Sequence, residues 1–400
     1  YRDDALYELG NSYVKQNKID NAISKYNSLI KTYPKSILVP KALLRQGLVY
    51  YNQSSNQEAL TKFKTVAIDY PGTPEAVQSV SSARLVYIDL GQVTEYANWV
   101  RTLDYVDVTN ADLDNTSYEA AEKQFLANNT KKAIKQFNSY LVQFPKGLHA
   151  LKAHFYLAQL YYKEDLKQNA KPHYTFVVNQ SSGEFTETAL ARLSEILLLD
   201  KNWEESLPIL TRLENESSNP QYLVFAQSNL MKAYYQLNNY NYAVDYAEKV
   251  LLNTKIDKSI KSDAQVIIAR SAIKTNDEAK AKQAYAEVEK IASGELAAEA
   301  LYYNAYFKNK ENSFEASNET IQELVRDYSS YKYYAAKGLV IMAKNFYALD
   351  DAYQATYILE SVIENFSEFE DVKDEAQTEL NTIKAEEAKT NSSVETTDGN

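Results

Sequence analysis

Two stretches near the start of the chain decide its reading: DDALYELGNSYVKQNKIDNAISKYNSLIKTYPKS over Asp3–Ser36, and PKALLRQGLVYYNQSSNQEALTKFKTVAIDYPGT over Pro40–Thr73. Laid over each other, Leu6 falls on Leu43, Gly10 on Gly47, Tyr13 on Tyr50, Ala22 on Ala59, Tyr26 on Phe63 and Tyr33-Pro34 on Tyr70-Pro71, every offset being 37 residues. Self-similarity at a period of about 20–50 residues marks a repeat architecture, in which each unit buries its apolar face on its neighbours. Within each stretch two helical patterns flank a polar turn, and a proline stops the second helix. Two antiparallel helices cross closely only where small residues face each other, so Gly10 is expected against Ala22 and Gly47 against Ala59.

The small residue of the second helix can be followed along the chain as Ala22, Ala59, Ala97, Ala133, Ala170, Ser206, Ala243, Ala281, Ala316 and Ala355, in steps of 35 to 39 residues, which implies ten helical pairs. The pairs differ in quality. The fifth is regular (Leu157, Ala158, Tyr161, Ala170, Tyr174). The third puts Leu85 at the crossing and Arg101 where a ring is expected, the sixth has Ser194 and Ser206, and the ninth has Asn304 and Thr320.

These residues resemble the tetratricopeptide repeat. Numbered from its start, that repeat takes Leu at position 7, Gly or Ala at 8, Tyr at 11, Ala at 20, Phe or Tyr at 24 and Pro at 32. The first unit supplies Leu9, Gly10, Tyr13, Ala22, Tyr26 and Pro34; the second supplies Gly47, Tyr50, Ala59, Phe63 and Pro71, with Gln46 at position 7. The mean period of 37 exceeds the family's usual value of about 34. Long repeats ending in Tyr-Pro or Phe-Pro, as at Tyr33-Pro34, Tyr70-Pro71 and Phe144-Pro145, are similar to those of bacterial envelope proteins such as the outer-membrane β-barrel assembly lipoprotein and the Tol-associated coordinator of peptidoglycan synthesis. The resemblance implies an all-α, right-handed superhelical solenoid of about ten helix-turn-helix units. Units one to three are expected over 1–101, a loop or hinge over 102–116, units four to ten over 117–370, a capping helix over 371–388 and a disordered tail over 389–400. The cap is read from the stripe Val372, Ala376, Leu380 and Ile383 on an otherwise polar helix, since a solenoid needs a polar-backed end.

Composition narrows the function. The 400 residues carry a net charge of −11, against the sign expected of a nucleic-acid binder. There is no cysteine, which removes disulfides, thiolate catalysis and cysteine zinc sites and fits an oxidising compartment. No run of apolar residues reaches the length of a membrane span. The chain starts at Tyr1, almost at the start of a repeat, and is read as a piece of a longer protein.

Catalytic chemistry finds no footing. The histidines are His149, His154 and His173, read as structural, and no phosphate-loop, dinucleotide or HExxH pattern occurs. Thr102–Thr116 holds four aspartates and a β-branched run, which oppose helix. A calcium loop counted from Asp112 would need glycine sixth and glutamate twelfth, but Ser117 and Lys123 stand there. No catalytic residue, metal site or cofactor is expected.

The surface of interest is then the groove, which in this family is lined by positions 2, 5, 9 and 12 of each first helix. Tyr7, Tyr51, Tyr118, Phe125, Phe155, Tyr162, Phe225, Tyr235 and Tyr347 fall on such positions. From the seventh unit onward they turn basic, with Lys232, Arg270, Lys308, Lys337 and Lys344 forming a stripe in an acidic chain. The family's carboxylate clamp is unsupported, since Asn11 is flanked by Tyr7 and Glu8 rather than by Lys and Asn. The expected function is a non-enzymatic scaffold that binds a protein or peptide in the groove, with an extended acidic segment as the candidate partner of the basic stripe. The expected location is the periplasm or outer membrane of a Gram-negative bacterium. The rival readings are a regulatory or substrate-recruiting module of a larger enzyme, and polysaccharide or peptidoglycan binding through the tyrosines.

Overall fold

A computed structural model describes the backbone of residues 1–397 and the side chains of 1–389; the described residues form 21 helices and no strand. The chain divides into two compact units, Tyr1–Ile196 and Leu197–Asn400, and the division falls inside a helix, not at 102–116. The first unit pairs α1 (Arg2–Lys15) with α2 (Ile19–Thr32), α3 (Val39–Asn52) with α4 (Asn56–Asp69), α5 (Pro74–Leu90) with α6 (Val93–Val100), α7 (Asn110–Leu126) with α8 (Thr130–Gln143) and α9 (Ala150–Lys163) with α10 (Lys167–Val178), and ends within α11 (Thr186–Leu199). The second holds α12 (Trp203–Glu216), then α13 (Pro220–Gln236) with α14 (Tyr240–Leu251), α15 (Lys258–Lys274) with α16 (Glu278–Glu289), α17 (Glu295–Lys310) with α18 (Phe314–Asp327), α19 (Lys332–Ala348) with α20 (Ala352–Asn365), and α21 (Glu370–Thr397). Each unit is thus a solenoid of antiparallel helix pairs.

One backbone feature fixes the register of every repeat. The turn between first and second helix carries a residue with φ between 55° and 67°: Asn17, Ser54, Gly91, Asn128, Asp165, Lys201, Asn238, Asn276, Asn312 and Asp350. Successive members lie 36 to 38 residues apart. The left-handed conformation is costly for most side chains, and Asn and Asp tolerate it best because they can bond locally. Counted from this residue, two of the expected crossing positions slip by one. The buried residue of α6 is Tyr96, not Ala97, and that of α18 is Ser317, not Ala316. Ser317 is fully buried and its Oγ donates to the Ala305 carbonyl at 2.8 Å. The same slip moves the core position from Arg101 to Val100 and from Thr320 to Ile321, both 0 % exposed, and the crossing residue of α17 from Asn304 to Ala305. A one-residue slip turns a helical side chain through about 100°, which is why both repeats read as poor.

The crossing itself differs from expectation. Gly10 and Gly47 are covered by rings rather than by the alanines: the atoms nearest a Cβ built on Gly10 belong to Tyr26, and those nearest one on Gly47 belong to Phe63. Both rings are fully buried. Glycine is needed because an aromatic ring, not a methyl group, occupies the space a Cβ would take.

The stretch expected as a loop over 102–116 is divided, irregular as far as Thr109 and helical from Asn110. Only Arg101–Thr109 is irregular, and α7 starts at Asn110 on a capping box in which Thr109 and Asp112 each bond the other's backbone N–H. Asp114 is 5 % exposed and accepts from the Tyr140 hydroxyl at 2.6 Å and the Leu148 N–H at 2.7 Å, tying α7 to the α8–α9 connection. Aspartates that oppose helix in isolation here cap and anchor one.

At the end of the second unit, Val372, Ala376, Leu380 and Ile383 of α21 are buried against α19 and α20, the stripe expected of a cap. The helix continues past residue 388 to Thr397, into the segment expected to be disordered, while 398–400 lie outside the described residues.

Candidate partner-binding face

Within each unit, successive odd-numbered helices touch one another: α3 with α5 and α5 with α7 in the first, α13 with α15, α17 with α19 and α19 with α21 in the second. Successive even-numbered helices make no comparable contact among the described residues. The odd helices therefore line the inner face of each unit, where the candidate residues sit.

In the first unit most of the candidate rings are spent on packing. Tyr118 and Phe155 are 3 % and 6 % exposed, so they belong to the core and not to a ligand surface. Tyr118 stacks on His149 with ring centroids 4.2 Å apart and gives its hydroxyl to Glu122 at 2.7 Å. Burial and Glu122 together push the Tyr118 phenol up. Phe155 stacks on Phe185, and Phe125 on Tyr156, each at 4.4 Å. Tyr7 tilts against Tyr26. Tyr51 donates to Asp89 at 2.8 Å and its phenol is pushed up to about 12 by burial and that carboxylate. The Tyr162 ring carries the Arg192 guanidinium 4.6 Å from its centroid.

In the second unit each cation expected in the basic stripe already meets a partner within the chain. Lys232 of α13 pairs with Asp263 of α15 at 2.5 Å. Arg270 of α15 makes a two-pronged pair with Glu299 of α17 at 2.9 and 2.6 Å. Lys344 of α19 faces Glu375 and Glu379 of α21 at 2.8 and 3.1 Å. Lys337 lies over the rings of Tyr302 and Tyr333, 5.0 and 5.5 Å from their centroids. Lys308 leaves the stripe: counted from Asn312 it falls one position short of the groove, and it donates to Thr320 of its own repeat at 2.6 Å. A rule emerges that counting cations alone missed. Position 9 of one repeat meets position 2 of the next, with opposite charge, in Lys232–Asp263, in Arg270–Glu299 and, reversed in sign, in Glu122–Lys152.

Glu299 is the group sequence reasoning overlooked. It is 3 % exposed, and besides Arg270 it accepts from the hydroxyls of Tyr285 at 2.7 Å and Tyr334 at 3.1 Å. Burial opposes its ionisation, but hydrogen bonds from Arg270 and Tyr285 outweigh that and hold its carboxyl below the usual range. His154 and His173, expected as structural, lie on the two helices of one repeat with their Nδ1 atoms 2.8 Å apart. Burial, then the partner ring, holds His154 down at about 4, and burial lowers His173 as well.

Three candidates remain presented rather than consumed. Phe225, Tyr235 and Tyr347 are partly exposed on α13 and α19. Phe225 has no ring partner among the described residues. Tyr235 meets Tyr240 edge-on at 5.8 Å, and Tyr347 donates to Glu386 at 2.8 Å.

The geometry defines a tandem helix-pair protein with an inner face built from first helices. Residues 4–36 and 41–73 match the tetratricopeptide repeat family, and 86–223 match the tetratricopeptide repeat-like domain family. Over these spans the chain is a tetratricopeptide-repeat protein. Its sequence finds no significant match among curated proteins. Similar solved structures include the tetratricopeptide domain of P58(IPK), 11 % identical over 97 % of this chain and 99 % of that one with a TM-score of 0.28. Yeast Tom70 is 12 % identical over 97 % and 96 %, with a TM-score of 0.33. A tetratricopeptide repeat protein of Parabacteroides merdae is 15 % identical over 73 % and 93 %, with a TM-score of 0.23.

Proposed function

We propose that this chain is a non-enzymatic scaffold that holds a protein or peptide segment against the odd-numbered helices, within an assembly of the bacterial cell envelope. Tetratricopeptide repeats generally mediate protein–protein interaction. The observation that supports the reading most in this chain is the face of α13, where Phe225 is partly exposed with no ring partner among the described residues and Lys232 and Tyr235 follow on the same helix. Aromatic side chains beside charge are the kind of anchor that carries interface energy. An acidic partner has weaker support, because Lys232, Arg270 and Lys344 each already face a carboxylate of the next odd helix. An acidic segment would have to displace those carboxylates, so the reading favours apolar anchoring at Phe225 and Tyr235. The test is the affinity of the natural partner, isolated by affinity capture, for the Phe225→Ala/Tyr235→Ala chain. A loss of about tenfold or more with unchanged helical content supports the reading; full affinity refutes it. Loss on changing Lys232, Arg270 and Lys344 to Glu, but not on changing the rings, would instead favour the acidic partner.

The envelope placement rests on the 37-residue period, the Tyr-Pro endings and the cysteine-free composition. Fractionation of cells carrying the natural gene tests it, and recovery with the cytosol would refute it.

A further inference from the structure

Between α6 and α7 the rhythm of the repeats breaks. α6 has 8 residues where α4 and α8 have 14, and the irregular segment Arg101–Thr109 follows it. In that segment Tyr105, Val106 and Val108 pack on the core of the first unit from one side, while Asp107 is exposed. The N–H groups of Asp107 and Val108 and the carbonyls of Val106 and Asp107 form no hydrogen bond among the described residues.

Together with the N-terminal parts of α5 and α7, this segment lines a groove of about 390 Å³. A water takes up roughly 30 Å³ of liquid, so the space admits a few side chains. Val77 of α5 is 56 % exposed in the lining, and Tyr105, Val106 and Val108 are partly exposed there, so apolar surface stands open to a ligand. The charged lining is one cation, Arg84, against three carboxylates, Asp107, Asp112 and Glu119. Arg84 is taken up by Glu119 at 2.6 Å and by the Thr116 hydroxyl at 2.8 Å. Hydrogen bonds from the Thr109 hydroxyl and N–H hold the Asp112 carboxyl below the usual range, so it stays charged. Asp107 is exposed and pairs with no cation among the described residues. The groove thus joins open apolar surface to uncompensated negative charge, which is complementary to an aliphatic side chain with cations beside it.

We propose that this groove holds an extended partner segment, with an aliphatic side chain against Val77, Val106 and Val108 and lysine or arginine facing Asp107 and Asp112. The unpaired backbone groups of Val106–Val108 bond the main chain of that segment, as an added strand is bonded at a sheet edge. α5 and α7 are odd-numbered helices, so the site extends the scaffold reading and rests on it. It uses none of Phe225, Lys232 and Tyr235, and its test uses a different ligand, so either can fail alone.

The test is fluorescence-anisotropy titration of the full chain with a labelled, end-blocked hexapeptide that alternates lysine with valine. Matched peptides replace the lysines by glutamate or the valines by serine, and two more carry N-methyl groups on the valine amides or on the lysine amides. The expected result is saturable binding of the parent peptide, weaker by about tenfold or more for the glutamate peptide, the serine peptide and one of the two N-methyl peptides. Asp107→Lys and Val77→Ser, at exposed positions that leave the thermal melt unchanged, should each weaken it by about threefold or more, and Phe225→Ala/Tyr235→Ala should leave it unchanged. No saturable binding overturns the proposal. So does equal affinity for the glutamate or the serine peptide, or N-methylation without effect at either set of amides. Binding unchanged by Asp107→Lys or by Val77→Ser overturns it as well, since the peptide would then sit elsewhere on an acidic chain.

Discussion

Arg270→Met should cost the second unit far more than its place on a partly exposed wall suggests. The guanidinium supplies two charge-assisted bonds, at 2.9 and 2.6 Å, to a carboxylate that is 3 % exposed. Methionine keeps the aliphatic stem and removes the charge, leaving Glu299 buried with two phenols as donors. Breaking a buried pair from one side costs about 3–5 kcal/mol. The Tyr285 and Tyr334 hydroxyls remain, so the lower end, about 3 kcal/mol, is expected. Lys232→Met breaks a pair whose side chains are 42 % and 45 % exposed, and should cost less than about 1 kcal/mol. The pH dependence separates this account from lost packing. In the intact protein the Glu299 carboxyl is held below its ordinary, unfolded value, so its contribution is present above that value and lost as pH falls through the folded one. In the variant, burial without Arg270 lifts the folded value above the unfolded one. The deficit should then be full at neutral pH and shrink on acidification as Glu299 takes up a proton. Urea unfolding followed by Trp203 fluorescence measures it as a midpoint shift, since repeat arrays need not unfold in two states. A cost no greater than that of Lys232→Met, or a deficit equal at pH values on both sides of the carboxyl range, would refute the argument.

The histidine pair should make the first unit acid-sensitive before its carboxylates titrate. The unfolded chain binds protons near 6.5, whereas His154 in the folded state stays neutral down to about 4, so stability is complete above that upper value and falls through the window between them; His154→Leu/His173→Leu should flatten this part of the thermal-melt pH profile. Gly47→Ala places a methyl 2.5 Å from the fully buried Phe63 ring and should cost about 1–3 kcal/mol in urea unfolding, whereas Gly183→Ala, with its nearest atom 4.0 Å away, should be silent. Asn276, at φ 56°, should lose about 1–2 kcal/mol as Asn276→Ala and only a few tenths as Asn276→Gly, measured the same way.

Much of the fold was legible because it is written in the sequence more than once. Gly10 and Gly47, with Tyr26 and Phe63, give the period, and the Val372–Ile383 stripe gives the cap. Where reading slipped, a local substitution had hidden the register. Asn312 and Gly91 mark their turns, but an alanine stands one residue before Ser317 and another one residue after Tyr96, and each draws the count off by one. Thr109 and Asp112 read as helix breakers until their roles as cap and capping partner are seen, because composition does not say which end of a helix a residue occupies. The candidate face was harder. Tyr118 and Phe155 occupy the same nominal position as Tyr7, which stays partly exposed, and only the neighbouring repeat decides which rings are covered. The ion pairs were hidden for a related reason: Asp263 and Glu299 belong to the next repeat, and a search along one helix does not reach them.

Site-specific photo-cross-linking with the natural partner tests the central claim most directly. A benzophenone side chain is placed in turn at Phe225, Tyr235 and Tyr347 on the odd helices, and at Tyr242, Tyr353 and Tyr357 on the even ones. The latter are 59 %, 76 % and 63 % exposed, so random encounter favours them. Adducts with the partner at the odd-helix positions and none at the even-helix positions are predicted. Adducts mainly from Tyr242, Tyr353 and Tyr357 would contradict the account.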